Sequence, residues 1–287
     1  MNGDAYVLTR PARLDTPFVF SSPHSGRDYP AAFLAASLLD PLTIRSSEDA
    51  FVDRLFAAAP AQGAPLLAAR VPRAWLDLNR APDELDPALV EGAPRAPHNP
   101  RISSGLGVIP RVVAGGRVIH PGRISLAEAQ ARIDTAWHPY HAALRALLDE
   151  AQARFGQAVL IDCHSMPHEA LEAHARPGQP RPQVVLGDRF GAAAGREVTD
   201  RIEAAFAAAG LRVARNTPFA GAYIAQAYGR PSRGVHVVQV EIDRALYMDE
   251  ARVTPRPDFD AFCARIGGVV ADICAGGRAT GLPLAAE

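Results

Sequence analysis

Two stretches of the chain share one pattern, in which an apolar run stops abruptly at polar side chains that are able to bind a metal. Residues 158–161 are all apolar, and the polar residues 162–165 follow them; residues 18–20 are also apolar, and His24 comes soon after. Consecutive apolar positions are typical of parallel strands buried on both faces, and ligands bind outside the carboxyl ends of such strands. The pattern therefore predicts two core strands that bring His24 and His164 to one site. A strand that merely ends in a polar turn is the alternative, and the repetition of the pattern weakens it.

Strand-like and helix-like segments alternate along most of the chain. Short apolar runs predict strands at residues 18–22, 64–71, 74–78, 183–187, 211–215 and 235–242, besides the one that begins at residue 158. Helical spacing of apolar residues predicts helices at residues 31–39, 48–59, 126–155, 192–209 and 259–273. This alternation predicts the α/β class, with a mixed, mainly parallel sheet flanked by helices and a single domain over residues 1–287.

Local signals refine these predictions. Ser125 and Glu128 form a capping box that opens the helix at residue 126, and Pro139 is expected to kink that helix or to begin a second one. Residues 108–113 and 117–119 predict a β-hairpin across a glycine-containing turn. Three segments, residues 79–100, 165–182 and 216–233, are rich in proline, glycine or polar residues and predict long loops, which are often functional.

Composition limits the classes of partner. Of the 287 residues 48% are hydrophobic and 21% are charged, and the net charge of -1 gives no electrostatic support for nucleic-acid binding. No apolar run approaches the roughly 18 residues that span a bilayer, and the start of the chain lacks a basic segment followed by an apolar one, so we expect no membrane partner and a cytoplasmic protein. The three cysteines predict reduced thiols, with Cys163 facing away from His164. No feature predicts an oligomeric state.

His24 and His164 suit a metal site. A catalytic zinc ion usually has three protein ligands and an open position, and two imidazoles leave room for one carboxylate. Asp49 and Glu48 are both candidates, since they lie one connection after His24. An acidic residue at that point is also what helix capping favours, so either residue alone would be weak evidence.

The polar residues needed for catalysis and substrate binding are found on two other predicted strands. Glu241 lies within an apolar run, where burial would raise its pKa as a general base requires; the alternative is a structural ion pair with Arg244. Arg73, Asn79 and Arg80 suggest a substrate-binding side, because the arginine fork binds carboxylates in bidentate fashion.

Together these segments resemble the N-formylglutamate amidohydrolases. The resemblance extends from about residue 17 to about residue 272, and it rests on these segments in order: Pro23-His24-Ser25-Gly26, Glu48-Asp49-Ala50-Phe51-Val52-Asp53, Arg73 with Asp77-Leu78-Asn79-Arg80, Asp162-Cys163-His164-Ser165-Met166-Pro167, and residues 239–248. It implies a zinc-carboxypeptidase-like (phosphorylase/hydrolase-like) fold, shared with aspartoacylase. It also implies hydrolysis of N-formyl-L-glutamate to formate and glutamate, late in histidine degradation.

The resemblance implies specific roles. His24 and His164 would be ligands of one Zn²⁺ per chain, although another divalent metal would also suit them, and Glu241 would be the base that deprotonates a zinc-activated water. Arg73 would polarise the formyl carbonyl. Asn79 and Arg80 would bind a substrate carboxylate, and Tyr223 and Arg230 would contact the substrate. Arg27 stands where the carboxypeptidase pattern has glutamate, so the carboxylate ligand must come from elsewhere, and Asp49 is favoured over Glu48.

Two other functions stay open from the sequence. A deacylase of another N-acyl amino acid, or a small carboxypeptidase, would use the same catalytic residues on a different small acidic substrate. A metal-free ligand-binding protein could keep the fold without catalysis.

Overall fold

A central seven-stranded sheet carries His164 and Glu241, two of the polar residues singled out by the sequence. The computed structural model describes residues 5–94, 99–172 and 180–279. The strands of the sheet are β1 (Tyr6–Thr9), β2 (Phe18–Ser22), β3 (Leu66–Ala69), β4 (Ala158–Met166), β5 (Val184–Gly187), β6 (Val213–Arg215) and β7 (Val235–Asp243). Their order is β1-β3-β2-β4-β7-β5-β6; β1 runs antiparallel to β3 and β5 antiparallel to β7, and the other pairs are parallel. The predicted mixed, mainly parallel sheet is confirmed.

Helices cover both faces of this sheet. They are α1 (Ala31–Ala36), α2 (Val52–Leu55), α3 (Pro100–Ser103), α4 (Leu126–Arg132), α5 (His138–Phe155), α6 (His168–Glu172), α7 (Arg196–Ala208), α8 (Tyr223–Tyr228) and α9 (Phe259–Ala279). Shorter elements are the 3₁₀ turns Thr43–Ser47, Pro60–Gln62, Ala114–Gly116, Pro231–Arg233 and Arg244–Leu246, and the two-residue strand pairs Val90–Glu91 with Ile124–Ser125, Val112–Val113 with Arg117–Val118, and Met248–Asp249 with Thr254–Pro255. None of the described helices is long and apolar enough to cross a membrane.

The two long strands β4 and β7 pack against apolar cores on both faces, and one face carries polar residues toward the carboxyl ends. Alternate side chains of a strand point to opposite faces. Ile161 and Cys163 belong to the core that contains residues of α7 and α9, whereas Leu160 packs in the core on the α5 side. Asp162 and His164, which alternate with Cys163, therefore share the α5 side of the sheet, and Cys163 faces away from His164 as predicted.

Strand register brings the polar residues of that face together. In the parallel pair of β4 and β7, His164 is opposite Glu241 and Asp162 is opposite Gln239. Neighbouring strands lie about 4.8 Å apart, so these residues are adjacent. Strand β2 pairs with β4 through Ser21 and Asp162 and ends at Ser22, which leaves the following His24 beyond the carboxyl end of β2.

Two local predictions about helix α4 and the hairpin are confirmed in outline. The Ser125 side chain caps α4 by accepting from the backbone N–H of Glu128. A π-helical turn, Ile133–Trp137, then leads into α5, which has Pro139 in its first turn. The hairpin forms with shorter strands than predicted, around the turn Ala114–Gly116.

Other local predictions were wrong. A helix over residues 48–59 is not formed: only α2 is α-helical there, because Phe51 has a φ of 67° and interrupts the helical path. The expected strand at residues 74–78 consists of turns, in which the Leu76 N–H bonds to the Pro72 carbonyl and the Asp77 N–H to that of Val108. The predicted loops at residues 165–182 and 216–233 contain α6 and α8, respectively. Residues 95–98 and 173–179 of the predicted loops lie outside the described residues.

Gly26, which follows His24 by two residues, is required by a close backbone contact. A Cβ atom on Gly26 would lie 2.0 Å from the carbonyl oxygen of Val71, at the end of the β3 segment. Only the absence of a side chain allows the two backbone segments to approach this closely.

We expect Gly26→Ala to lower the free energy of unfolding by at least about 2 kcal/mol, since a backbone atom must move to admit the methyl group. Urea denaturation followed by circular dichroism measures this. Gly122→Ala is the matched control, because no heavy atom lies within 4 Å of the added Cβ, and its effect should stay within about 0.5 kcal/mol. Equal stability of the two variants would contradict the close contact.

Candidate active site

A cavity of about 620 Å³ opens at the carboxyl ends of β2, β4 and β7. This is the position at which open α/β sheets bind ligands. The charged, histidine and amide residues that line it are His24, Asp49, Arg73, Asp77, Asn79, Arg80, Arg101, His164, Gln239, Glu241 and Arg244. Seven of the nine residues predicted from the sequence to form the site are therefore brought to one cavity.

Three of these side chains converge on one point. The Nδ1 atoms of His24 and His164 lie 3.1 Å apart, and Oδ2 of Asp49 lies 3.3 Å from the first and 2.9 Å from the second. All three residues are at most 2% exposed. His24 and Asp49 are also joined by their backbones, since the Asp49 N–H bonds to the His24 carbonyl at 3.0 Å.

This arrangement fits a divalent metal. Oδ1 of Asp77 lies 2.7 Å from Nε2 of His24, and Oδ2 of Asp162 lies 3.0 Å from Nε2 of His164. A carboxylate at Nε2 holds the proton there and leaves Nδ1 with a lone pair. Two lone pairs and one carboxylate oxygen then face each other, and their spacing is close to the roughly 3.3 Å edge of a tetrahedron with ligand bonds of about 2.0 Å. Two imidazoles and a carboxylate suit zinc, and also iron or cobalt.

Arg244 sets the orientation of Asp49. Its Nη2 atom donates to Oδ1 of Asp49 at 3.0 Å, which leaves Oδ2 to the histidines. The same guanidinium donates to Oγ of Ser165 and to the Ser46 carbonyl. Burial opposes a charge on Asp49, but its interactions with His164 and His24 outweigh burial and lower the pKa of Asp49 well below its ordinary value.

Glu48 lies elsewhere. Its carboxylate is paired with Arg45 at 3.0 Å and accepts a hydrogen bond from the Tyr29 hydroxyl at 2.7 Å. Arg27, at the position where the carboxypeptidase pattern has an acid, pairs with Asp53. Of the two acidic residues left open by the sequence, Asp49 is the one beside the histidines.

Glu241 is a buried carboxylate beside this group. Burial raises its pKa to about 7, although the neighbouring charge of His164 acts in the opposite direction. Nε2 of Gln239 donates to its Oε1 atom at 2.8 Å. The alternative of an ion pair with Arg244 does not describe the structure, because the acidic partners of Arg244 among the described residues are Asp49 and Glu250.

The loop from Arg73 to Arg80 forms a second wall of the cavity. Nε of Arg73 donates to Oδ2 of Asp77 at 3.0 Å. Burial lowers the pKa of Arg73, but the negative charges of Asp77, Asp49 and Glu241 together outweigh it and raise that pKa. Arg80 is held by the carbonyls of Leu106 and Asn79.

Asn79 is engaged on both sides of its amide. Its Oδ1 accepts from the Ile224 N–H at 2.7 Å, and its Nδ2 donates to Oδ2 of Asp162 at 3.4 Å, close to Nε2 of His164. The amide thus joins the carboxylate partner of His164 to helix α8.

Tyr223 and Arg230 lie outside the residues that line the cavity. The Tyr223 ring packs against the rings of Trp137 and His141. Arg230 is exposed and donates to the carbonyls of Gln226 and Gly229.

Asp77 and Gln239 are contributors that had no assigned role in the sequence. For Gln239 a signal existed, since it alternates with Glu241 on one strand and therefore shares its face. Asp77 stood within a recognised segment, but its partner His24 is 53 residues away.

The chain is similar to known proteins over most of its length. Residues 16–248 match the sequence model of the family described as N-formylglutamate amidohydrolase. The chain is 32% identical over 238 residues to an N-formylglutamate deformylase of Pseudomonas aeruginosa, covering 82% of this chain and 83% of that protein, and 30% identical over 237 residues to one of Pseudomonas putida, covering 82% of each. A solved structure of N-formylglutamate amidohydrolase from Ralstonia eutropha JMP134 has a TM-score of 0.89 and 35% identity, with coverage of 96% of this chain and 99% of that one.

Exchanging the two adjacent acidic residues one at a time tests the metal site. We expect Asp49→Asn to weaken Zn²⁺ binding by more than about 100-fold, because it removes a charged ligand, whereas the loss of an outer partner costs about 10–100-fold. Glu48→Gln, the matched control, should leave the affinity within about twofold. Competition titration against a chromophoric chelator measures both, and equal losses in the two variants would rule out the assignment of Asp49.

Proposed function

The chain belongs to the N-formylglutamate amidohydrolase family, and on that premise we propose that it hydrolyses N-formyl-L-glutamate to formate and L-glutamate, a step in histidine degradation. The observation that supports this most strongly is the convergence of His24, Asp49 and His164 beside Glu241 in one cavity. The relatives named N-formylglutamate deformylase support the choice of substrate.

The proposed metal site consists of His24, Asp49 and His164, and Zn²⁺ is the favoured ion. When bound, the ion would supply Lewis acidity, which makes water acidic near neutral pH and stabilises negative charge on a carbonyl oxygen. Asp77 and Asp162 would hold the two imidazoles in the tautomer that the ion requires, and Arg244 would hold the carboxylate.

Glu241 is the proposed general base. It takes a proton from water as the water oxygen bonds to the formyl carbon. The C–N bond then breaks, and Glu241 returns the proton to the leaving nitrogen, so that formate and the free amine depart. A pKa of about 7 suits both transfers, since the group can accept and donate a proton near neutral pH.

Two arginines are proposed to act on the substrate. Arg73 has its Nε atom occupied by Asp77, so its terminal nitrogens remain for the carbonyl oxygen, where negative charge develops. Arg80 would bind the α-carboxylate. Asn79, which contacts His164 and α8, would hold the loop from Arg73 to Arg80 in place.

We also propose that residues 1–287 act as one catalytic domain. The support is that a single sheet takes strands from Tyr6 to Asp243 and that the cavity is lined by residues from His24 to Arg244.

One observation favours a second candidate. A cavity of about 620 Å³ lies in the range of pockets that hold drug-sized ligands, about 300–1,000 Å³, and therefore has room for an acyl group larger than formyl. A deacylase of another N-acyl amino acid would use the same residues.

Turnover of N-formyl-L-glutamate should require both the metal and Glu241. We expect chelation to abolish formate release and Zn²⁺ to restore it, and Glu241→Gln to lower kcat by about 10²–10⁴-fold with zinc content unchanged, since only proton transfer is lost. Glu197→Gln, an exposed change on α7, is the control and should retain full activity. Substrate binding by the wild type without any turnover would instead support a metal-free binding protein.

The acyl group is tested by comparing N-formyl-, N-acetyl- and N-butyryl-L-glutamate by released amine. We expect kcat/KM to be largest for the formyl compound. Equal values for all three would refute the formyl preference in favour of the broader deacylase.

A further inference from the structure

Arg101 is a charged cavity residue that the proposed mechanism leaves without a role. It lies on the short helix α3 and is exposed, and its side chain lines the same cavity as His164 and Glu241. Among the described residues, its guanidinium has no acidic partner within 4.0 Å and no hydrogen-bond acceptor. It is therefore available to a ligand.

The backbone around Arg101 is fixed against Arg80. Nε of Arg80 donates to the Leu106 carbonyl at 2.9 Å, and the Leu106 N–H donates to the Arg101 carbonyl, also at 2.9 Å. Two residues after Leu106, the Val108 N–H donates to the Glu84 carbonyl and the Val108 carbonyl accepts from the Asp77 N–H, each at 2.8 Å. These hydrogen bonds connect the segments that carry Arg80 and Arg101, so both arginines belong to the same wall of the cavity.

This wall carries more positive charge than its own carboxylates compensate. Among the described residues the acid within 4.0 Å of Arg80 is Glu84. Burial lowers the pKa of Arg80, and the charges of Arg73 and Arg101 act in the same direction against the charge of Asp77. Bringing an anion between such cations relieves their repulsion, and a guanidinium binds a carboxylate through two parallel hydrogen bonds.

The proposed substrate has two carboxylates at different distances from the reacting amide. The α-carboxylate is attached to the carbon that bears the amide nitrogen, whereas the second carboxylate lies at the end of the side chain. Arg80 is buried beside Asn79, which contacts a metal-site histidine, and Arg101 is the more exposed of the two arginines.

We propose that Arg101 binds the side-chain carboxylate of the substrate and so makes the enzyme selective for N-acylated dicarboxylic amino acids. This inference rests on the proposed amidohydrolase function. The exposed part of the cavity would then contain a subsite for a second anion. Arg101 would discriminate between glutamate and its neutral analogues.

The test compares N-formyl-L-glutamate with N-formyl-L-glutamine, which has nearly the same shape but lacks the second charge. We expect Arg101→Met to lower kcat/KM for the glutamate compound by about 100-fold, mainly through KM, and to change that for the glutamine compound by less than about threefold. Arg101→Lys should retain part of the preference, because it keeps the charge and loses the fork. Arg196→Met, which removes an exposed charge from α7, is the matched control and should keep the wild-type ratio.

The outcomes separate the two proposals. A wild-type enzyme that releases formate, together with an Arg101→Met variant that keeps the wild-type preference, overturns the role of Arg101 alone. Equal losses on both substrates overturn it as well, since they indicate damage to the fold or the reacting centre. Failure of the wild type to release formate from either compound overturns the proposed function itself.

Discussion

Burial of carboxylates at the end of the sheet is the constraint on which the rest of the structure depends. Asp49, Asp77 and Asp162 are each at most 2% exposed, and a buried charge is tolerated only when protein groups compensate it. Those groups come from distant parts of the chain: Arg244 reaches Asp49 across 195 residues, and His24 reaches Asp77 across 53. The need to compensate these buried carboxylates therefore fixes the irregular segments around the site, whereas burial of apolar side chains fixes the strands and helices.

The features that could be predicted from the sequence are those written in local apolar runs. All nine residues of β4 are buried, so its hydrophobic run directly reports a core strand. The same holds for the apolar positions around Glu241 in β7. Because parallel strands end at one edge of a sheet, the positions of His24, His164 and Glu241 relative to one another followed without any knowledge of the loops.

The features that could not be predicted depend on contacts between segments far apart in sequence. The region around Asp49 looked helical because its apolar spacing is helical, but Phe51 adopts a left-handed conformation and the Asp49 N–H bonds to His24. The segment before Asn79 alternates like a strand in sequence but forms turns in the structure. Val108 holds these turns through its backbone, and the Asp77 side chain accepts from the Asn79 N–H. Helix α8 likewise depends on a distant contact, because the Ile224 N–H in its first turn donates to the Asn79 side chain.

Arg244, which lines the cavity and binds Asp49, comes late in the chain. Contacts between residues far apart in sequence form slowly, because the intervening chain must first be ordered. His24 emerges early in synthesis, yet its surroundings are complete only after the chain has passed Arg244. A nascent chain shorter than this lacks the arginine that orients Asp49, so the proposed metal site is complete only when nearly the whole sheet is assembled. An ion held at that site would stabilise the folded state over every earlier intermediate, because the intermediates lack the complete site.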